Sequence, residues 1–169
     1  MKIIGKVFKK LPSNIDTDLI LPGRYCHITE ADELAKHTFE DYIPEFPALT
    51  RNGNILVADN NFGCGSSREV APLALKTIGV KLIIARSFAR IFFRNSVNLG
   101  LPLLEHPSAP DFINENDFIE ADLEKGFFTV NTNTKFEFEP FPPFLMEIIK
   151  LGGLIEYGKR KLKQEIKNA

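Results

Sequence analysis

One stretch of this 169-residue chain gathers most of the residue types that chemistry could use: Asn60-Asn61-Phe62-Gly63-Cys64-Gly65-Ser66-Ser67-Arg68-Glu69. Gly63 and Gly65 permit left-handed backbone and let amides come close to a ligand. Ser66 and Ser67 add hydroxyls, and Arg68 adds a planar fork matched to a carboxylate. A helix beginning near Ser67 would add N–H groups and positive potential for an anion. The same composition also describes a tight turn closed by an N-cap serine, so the residues alone leave both readings open. Several familiar motifs are excluded. No lysine follows Gly65, as a phosphate-binding Walker loop requires. Gly-x-Ser-x-Gly is absent, so there is no hydrolase elbow. Cys64 has no base assigned to it by sequence among His27, His37 and His106, and it reads as a small buried residue.

A second candidate segment is Asp16-Thr17-Asp18. Its carboxylates can cap backbone amides in a turn, or one of them can orient a catalytic group. His27 suits a surface or an interface. Arg24, Arg86, Arg90 and Arg94 are candidates for structural ion pairs, with Arg90 and Arg94 at i, i+4 on one helix.

The elements around these residues follow from periodicity. Lys2 to Phe8 is a strand. Asn14 to Tyr25 is expected to be a loop followed by a short extended piece ending at Pro22-Gly23. Glu30 to Lys36 is a short helix, and Asp41 to Pro47 is irregular. Ile55 to Ala58, Val80 to Ala85 and Leu101 to Leu104 are apolar runs of the kind found in doubly covered strands. Between them lie a helix over Glu69 to Ile78 and one starting at Ser87, with Phe88, Ile91, Phe92 and Asn95 inward. Pro72 would break the first of these if it began at Ser67, so its regular part starts near Ala71 and Ser66 to Val70 is a distorted turn. Strand–helix–strand–helix–strand implies a parallel α/β layer, with the glycine-serine loop at its carboxyl edge, where ligands bind in open sheets. Phe118 to Asp122, Gly126 to Val130 and Lys135 to Phe138 alternate and read as antiparallel strands. Phe144 to Lys150 is a helix opened by prolines, and Leu154 to Lys167 is a basic amphipathic helix with a solvated face.

Composition narrows the function class. The net charge of −1 removes the electrostatic footprint of a nucleic-acid binder. No apolar run approaches the roughly 18 residues of a membrane span, and a cytoplasmic location is expected. Two cysteines, Cys26 and Cys64, exclude a disulfide framework and a thiolate-held metal or iron–sulfur site on this chain alone. Whether they pair depends on their separation in the fold. Fifteen phenylalanines and no tryptophan supply much apolar surface, mostly for a core and in part for an interface.

Taken together, these segments resemble one family. Asn14-Ile15-Asp16-Thr17-Asp18 with Ile20, Pro22 and Tyr25 resembles its amino-terminal signature. Asn61-Phe62-Gly63-Cys64-Gly65-Ser66-Ser67-Arg68-Glu69 resembles its active-site loop. Ser87 to Asn95 resembles the helix that follows, and Gly152-Gly153-Leu154 also fits. The family is the small subunit of 3-isopropylmalate dehydratase, equivalent to the swivelling domain of aconitase. The match in order and spacing covers nearly the whole chain. It implies an α/β fold: a single swivelling β/β/α domain over 1–169, with a parallel layer plus antiparallel strands.

The resemblance also implies a hydro-lyase that interconverts 2-isopropylmalate and 3-isopropylmalate through the alkene, in leucine biosynthesis. It implies a separate large subunit carrying a [4Fe–4S] cluster on three cysteines, one open iron acting as a Lewis acid, and no cofactor held by this chain. The substrate is a small hydroxy-dicarboxylic acid. By carry-over Ser66 is the base, acting as an alkoxide, Ser67 and Arg68 bind substrate carboxylate, and Asp18 is the supporting aspartate. A free hydroxyl is far too weak an acid to ionise near neutral pH, so the base needs a desolvated, positively polarised pocket. This chain alone is therefore expected to be inactive. Cys26-His27-Ile28 stands where relatives carry a specificity-setting residue. Aconitase and some homoaconitase-like relatives have arginine or lysine there, and isopropylmalate relatives have an apolar side chain. His27 is neither. It is assigned to substrate binding, with homoaconitate and 2,3-dimethylmalate as alternative substrates. A regulatory or nucleic-acid-binding module is the alternative from another class, and the charge balance argues against it.

Overall fold

The computed structural model describes residues 1–168. In chain order its elements are β1 (Lys2–Leu11), α1 (Thr17–Ile20), α2 (Ala31–Ala35), α3 (Phe46–Leu49), β2 (Ile55–Ala58), α4 (Val70–Thr77), β3 (Leu82–Ala85), α5 (Arg90–Asn98) and β4 (Leu103–Glu105). Then come α6 (Ala109–Phe112), β5 (Phe118–Asp122), β6 (Phe127–Val130), β7 (Thr134–Glu137), α7 (Pro143–Lys150) and α8 (Leu154–Asn168).

The strands form a seven-stranded mixed sheet in the order β4-β3-β2-β1-β5-β6-β7. Its long strand β1 belongs to two pairings. Lys2 to Lys6 runs antiparallel to β5, from Lys2↔Asp122 to Lys6↔Phe118. Val7 to Leu11 runs parallel to β2, from Val7↔Ile55 to Leu11↔Ala58, with a register shift between Val7 and Lys9. β2, β3 and β4 continue the parallel part, as the alternation of apolar strands and helices requires. β5, β6 and β7 form the antiparallel part.

Every residue of β2 and β3 is buried, because both faces of the parallel part are covered. On one face Leu56, Ala58, Ile83 and Ala85 join a cluster with Ala71, Ala74 and Leu75 of α4, Leu34 of α2 and Phe92 of α5. On the other, Ile55, Val57, Leu82 and Ile84 meet Ile119, Ala121, Phe128 and Val130 of the antiparallel strands and Met146 of α7. The antiparallel half thus curls over the parallel half, giving helix, sheet and sheet in layers. Most phenylalanines serve these two clusters: Phe39, Phe46, Phe62, Phe92 and Phe128 are fully buried, while Phe112, Phe118 and Phe144 are exposed.

The structure corrects three expectations. Asn14 to Tyr25 is not a loop followed by an extended piece. It contains α1 and a 3₁₀ turn over Gly23–Tyr25. The Asp16 carboxylate accepts from the Leu19 amide at 2.7 Å, and this N-cap allows a four-residue helix to form. Residues 46–49 also form one helical turn, with Pro47 in the first positions, where its missing N–H costs nothing. Finally, α5 starts at Arg90, not Ser87, which turns Ile91 outward (52 % exposed) and leaves Phe92, Asn95, Ser96 and Val97 buried. α4 starts at Val70, close to where Pro72 requires it. α8 is amphipathic as expected, with Ile155, Leu162 and Ile166 exposed.

Candidate functional site

The loops that leave β1, β2 and β3 at their carboxyl ends stay side by side beyond the sheet. Gly63 N–H donates to the Ile15 carbonyl at 2.7 Å, and Thr17 N–H to the Cys64 carbonyl at 2.9 Å. On the other flank, Phe62 N–H donates to the Ser87 carbonyl (3.1 Å) and Ala89 N–H to the Phe62 carbonyl (2.9 Å). Isolated parallel bridges, Asp16↔Cys64 and Phe62↔Phe88, record the same zipping. The glycine-serine loop therefore runs between the other two loops and is held on both sides.

Gly63 is required twice over. Its φ is +77°, and a Cβ there would lie 2.1 Å from Cγ of Phe92, deep in the core. Gly65 also has positive φ, +90°. Beyond it the chain is free of regular structure until Val70. The first turn of α4 thus lies past Ser67, as Pro72 requires, and no helix amides begin at that serine.

Ser66 and Arg68 are drawn together by the α1 segment. Buried Thr17 (1 % exposed) places its hydroxyl 3.1 Å from Ser66 Oγ and donates to the Ser66 carbonyl, also at 3.1 Å. Arg68 N–H donates back to the Ser66 carbonyl at 2.9 Å, which closes the turn. The Arg68 guanidinium pairs through Nη1 with the Asp18 carboxylate and reaches the Leu21 carbonyl at a long 3.4 Å. Its Nε and Nη2 donors carry no hydrogen bond among the described residues. Hydrogen bonding from Arg68 holds the Asp18 carboxyl below its ordinary range, and Asp18 in turn raises the Arg68 guanidinium. Ser66 and Ser67 are both exposed. The Ser67 carbonyl receives a long contact from Nδ2 of buried Asn95, 3.4 Å.

Of the residues named from sequence, Ser66, Arg68 and Asp18 are brought together, and Ser67 adjoins them. His27 is exposed and has no hydrogen bond to any of them among the described residues. Burial, followed by the Asp16 charge, pushes the Cys64 thiol up, which keeps it protonated and unsuited to attack. Both cysteines are free thiols. Thr17 lies inside a motif whose chemistry reads through its aspartates, and only the fold shows its buried hydroxyl against Ser66. Among the described residues no three or more His, Cys, Asp or Glu side chains are grouped to hold a metal ion, so this chain's own donors do not fit a cluster. No helix among them is long and apolar enough to cross a membrane.

Comparison with known proteins identifies what the chain is similar to. The family model described as the aconitase C-terminal domain matches residues 1–108. The chain is 48 % identical over 166 residues to the 3-isopropylmalate dehydratase small subunit of Thermodesulfovibrio yellowstonii, covering 98 % of each. It is 52 % identical over 163 residues to that of Nautilia profundicola, covering 96 % of this chain and 97 % of the other. A crystal structure of 3-isopropylmalate dehydratase from Methanocaldococcus jannaschii superimposes with a TM-score of 0.87 at 41 % identity, covering 99 % of both chains.

Proposed function

This chain belongs to the 3-isopropylmalate dehydratase small-subunit family, hydro-lyase subunits of leucine biosynthesis built on the aconitase C-terminal domain, and we propose that it contributes the proton-abstracting and carboxylate-binding half of a divided active site. The observation that carries this reading is the juxtaposition of Ser66, Thr17, Arg68 and Asp18 on one exposed edge, with guanidinium donors left free. The relatives are named small subunits, and a large subunit is the natural partner. We place the [4Fe–4S] cluster there, where it would activate the leaving hydroxyl. The whole chain, 1–169, is taken to act as one swivelling unit.

The chemistry of this chain's own residues follows from the contacts. The free Nε and Nη2 of Arg68 grip a substrate carboxylate by a fork that lysine cannot offer. Asp18 holds the other side of that fork, which fixes its direction. Ser67, exposed next to Arg68, adds a hydroxyl donor. Ser66 Oγ removes the proton from the carbon next to the carboxylate. The C–H electron pair becomes the alkene bond as hydroxide leaves the neighbouring carbon, and the reverse sequence returns proton and hydroxyl in the other orientation.

Thr17 supports the base in both of its states. With Ser66 neutral, the serine O–H can donate to Thr17 Oγ1 while Thr17 donates to the Ser66 carbonyl. With Ser66 ionised, the threonine O–H turns to the alkoxide, a charge-assisted bond stronger than the one it leaves. Exposure of Ser66 sets the limit on this chain alone. In water a serine hydroxyl stays protonated, and a covering partner is needed to supply the positive potential that favours the alkoxide and to keep competing water from it.

Anaerobic mixing with the cognate large subunit and assay of 2-isopropylmalate, homoaconitate and 2,3-dimethylmalate tests the reading. Turnover should appear only in the mixture and with the highest kcat/KM for isopropylmalate. Preference for another acid would reassign the substrate, and turnover by the large subunit alone would remove the divided site.

A further inference from the structure

The Arg68–Asp18 pair is bordered by a turn that has little to hold it. Residues Gly23–Tyr25 form a three-residue 3₁₀ turn with no buried member, and short exposed 3₁₀ turns have few contacts to keep them in one conformation. Yet this turn touches the carboxylate-binding arginine closely. A Cβ on Gly23 would lie 3.1 Å from Arg68 Nη2 and 3.4 Å from Asp18 Oδ1. The Gly23 amide also helps to hold Asp18 ionised.

The far end of the turn is gripped by two successive carboxylates, Glu40 and Asp41. Glu40 Oε1 accepts from the Tyr25 hydroxyl at 2.7 Å and from Arg24 Nη2 at 3.1 Å, and Glu40 Oε2 pairs with His37 Nδ1. The rings of Tyr25 and His37 stack at 3.7 Å and 11°. The Arg24 guanidinium lies 4.7 Å from the Tyr25 ring centre and forks onto Asp41 at 2.5 and 2.6 Å. Glu40 is thus the common partner of two successive turn residues and of the ring stacked upon one of them. Hydrogen bonds from Tyr25 and His37 keep its carboxyl below the ordinary range.

We propose that Glu40 is a positioning residue for substrate binding, clamping Tyr25, Arg24 and His37 so that the Gly23–Tyr25 turn holds the Arg68 fork and the adjoining Cys26–Ile28 segment in place. This inference rests on the carboxylate-binding role given above to Arg68. Glu40 does not contact Ser66, so its loss affects the grip on substrate and leaves the proton transfer itself intact.

The test uses Glu40→Ala, Glu40→Gln and Tyr25→Phe. In the reconstituted complex, Glu40→Ala should raise KM about tenfold and leave kcat within about threefold. Glu40→Gln, which still accepts from Tyr25, should recover part of that loss, and Tyr25→Phe should show a smaller rise. Loss of thermal stability with KM unchanged would overturn the proposal, as would a fall in kcat at constant KM. The NMR signal of the Arg68 Nε–H group in the isolated chain supplies a readout independent of turnover. It should shift in Glu40→Ala and Tyr25→Phe, and an unmoved signal would overturn the clamp even if the complex is active. If wild-type complex shows no turnover but the signal shifts, the clamp stands and the functional reading fails. Should Glu40→Ala not fold, Tyr25→Phe carries both readouts.

Discussion

Two arginines stand in loops at the carboxyl edge of the same parallel sheet and are almost equally exposed, 24 % for Arg68 and 25 % for Arg86. Their surroundings differ. Arg86 spends its donors within the fold: Nε on Asp59 at 2.6 Å, Nη2 on Asp111 at 2.6 Å, and Nη1 on the Pro107 carbonyl. It ties the loop after β2 to the segment after β4, with each of its three nitrogens engaged within the fold. Arg68 meets one exposed carboxylate, Asp18, through Nη1, which also reaches the Leu21 carbonyl, and its Nε and Nη2 make no hydrogen bond among the described residues. Exposure alone does not distinguish a structural arginine from a ligand-binding one. The number of nitrogens engaged within the fold differs, one for Arg68 and three for Arg86, and on the proposed function that difference separates the two within one loop system.

The comparison can be broken by substitution. Removing the free fork should have the larger effect. Arg68→Ala in the reconstituted complex is expected to lower kcat/KM by about a hundredfold or more, since a charge-assisted fork is worth roughly 3 kcal/mol. Arg68→Lys should recover little because it restores the charge without the fork. Its melting temperature should scarcely move, because Asp18 is 59 % exposed. Arg86→Ala should do the reverse, lowering the melting temperature with turnover per folded molecule unchanged. Calorimetry and steady-state kinetics on both variants check the pair, and equal activity losses would erase the distinction.

A smaller effect lies in acid. Asp18 and Asp59 are each held below the ordinary carboxylate range, chiefly by hydrogen bonds from Arg68 and Arg86 respectively. A depressed carboxylate adds stability above its unfolded-state pKa, about 4, and that contribution is lost as pH falls through the lower folded value. Denaturant titrations from pH 6 down to pH 2 should therefore show a shallower acid loss in Arg68→Ala and in Arg86→Ala than in wild type. An unchanged slope in both would mean that neither pair holds its carboxylate in solution.

The sequence disclosed those parts of the fold whose signal is local and apolar. Ile55–Ala58 and Phe118–Asp122 appear with the bounds that their residues suggest, because doubly covered and alternating strands write their burial into side-chain type. Pro72 placed the start of α4 to within one residue through backbone sterics. What escaped depended on single hydrogen bonds or on distant partners. α1 exists because the Asp16 side chain caps it, a choice between turn and helix that composition cannot make. Ile91 was assigned inward because its spacing with Phe88 suits a helix that begins three residues too early. Ser87 and Phe88 instead bridge to the loop after β2. In the site, the family resemblance picks out Ser66, Arg68 and Asp18, whereas the roles proposed for Thr17 and Glu40 rest on contacts between loops that no local pattern encodes.

The central claim is that Ser66 of this chain acts on a substrate shared with a partner subunit. An anaerobic titration of the cognate large subunit with wild-type and Ser66→Ala chains, followed by turnover of 2-isopropylmalate, tests it most directly. Both chains should form the complex, since Ser66 is exposed and its backbone, not its hydroxyl, closes the turn with Arg68. Turnover should rise to saturation with the wild-type chain and stay about 10²- to 10⁴-fold lower with Ser66→Ala, the usual cost of losing a positioned base. Near-wild-type turnover by a saturated Ser66→Ala complex would contradict the account.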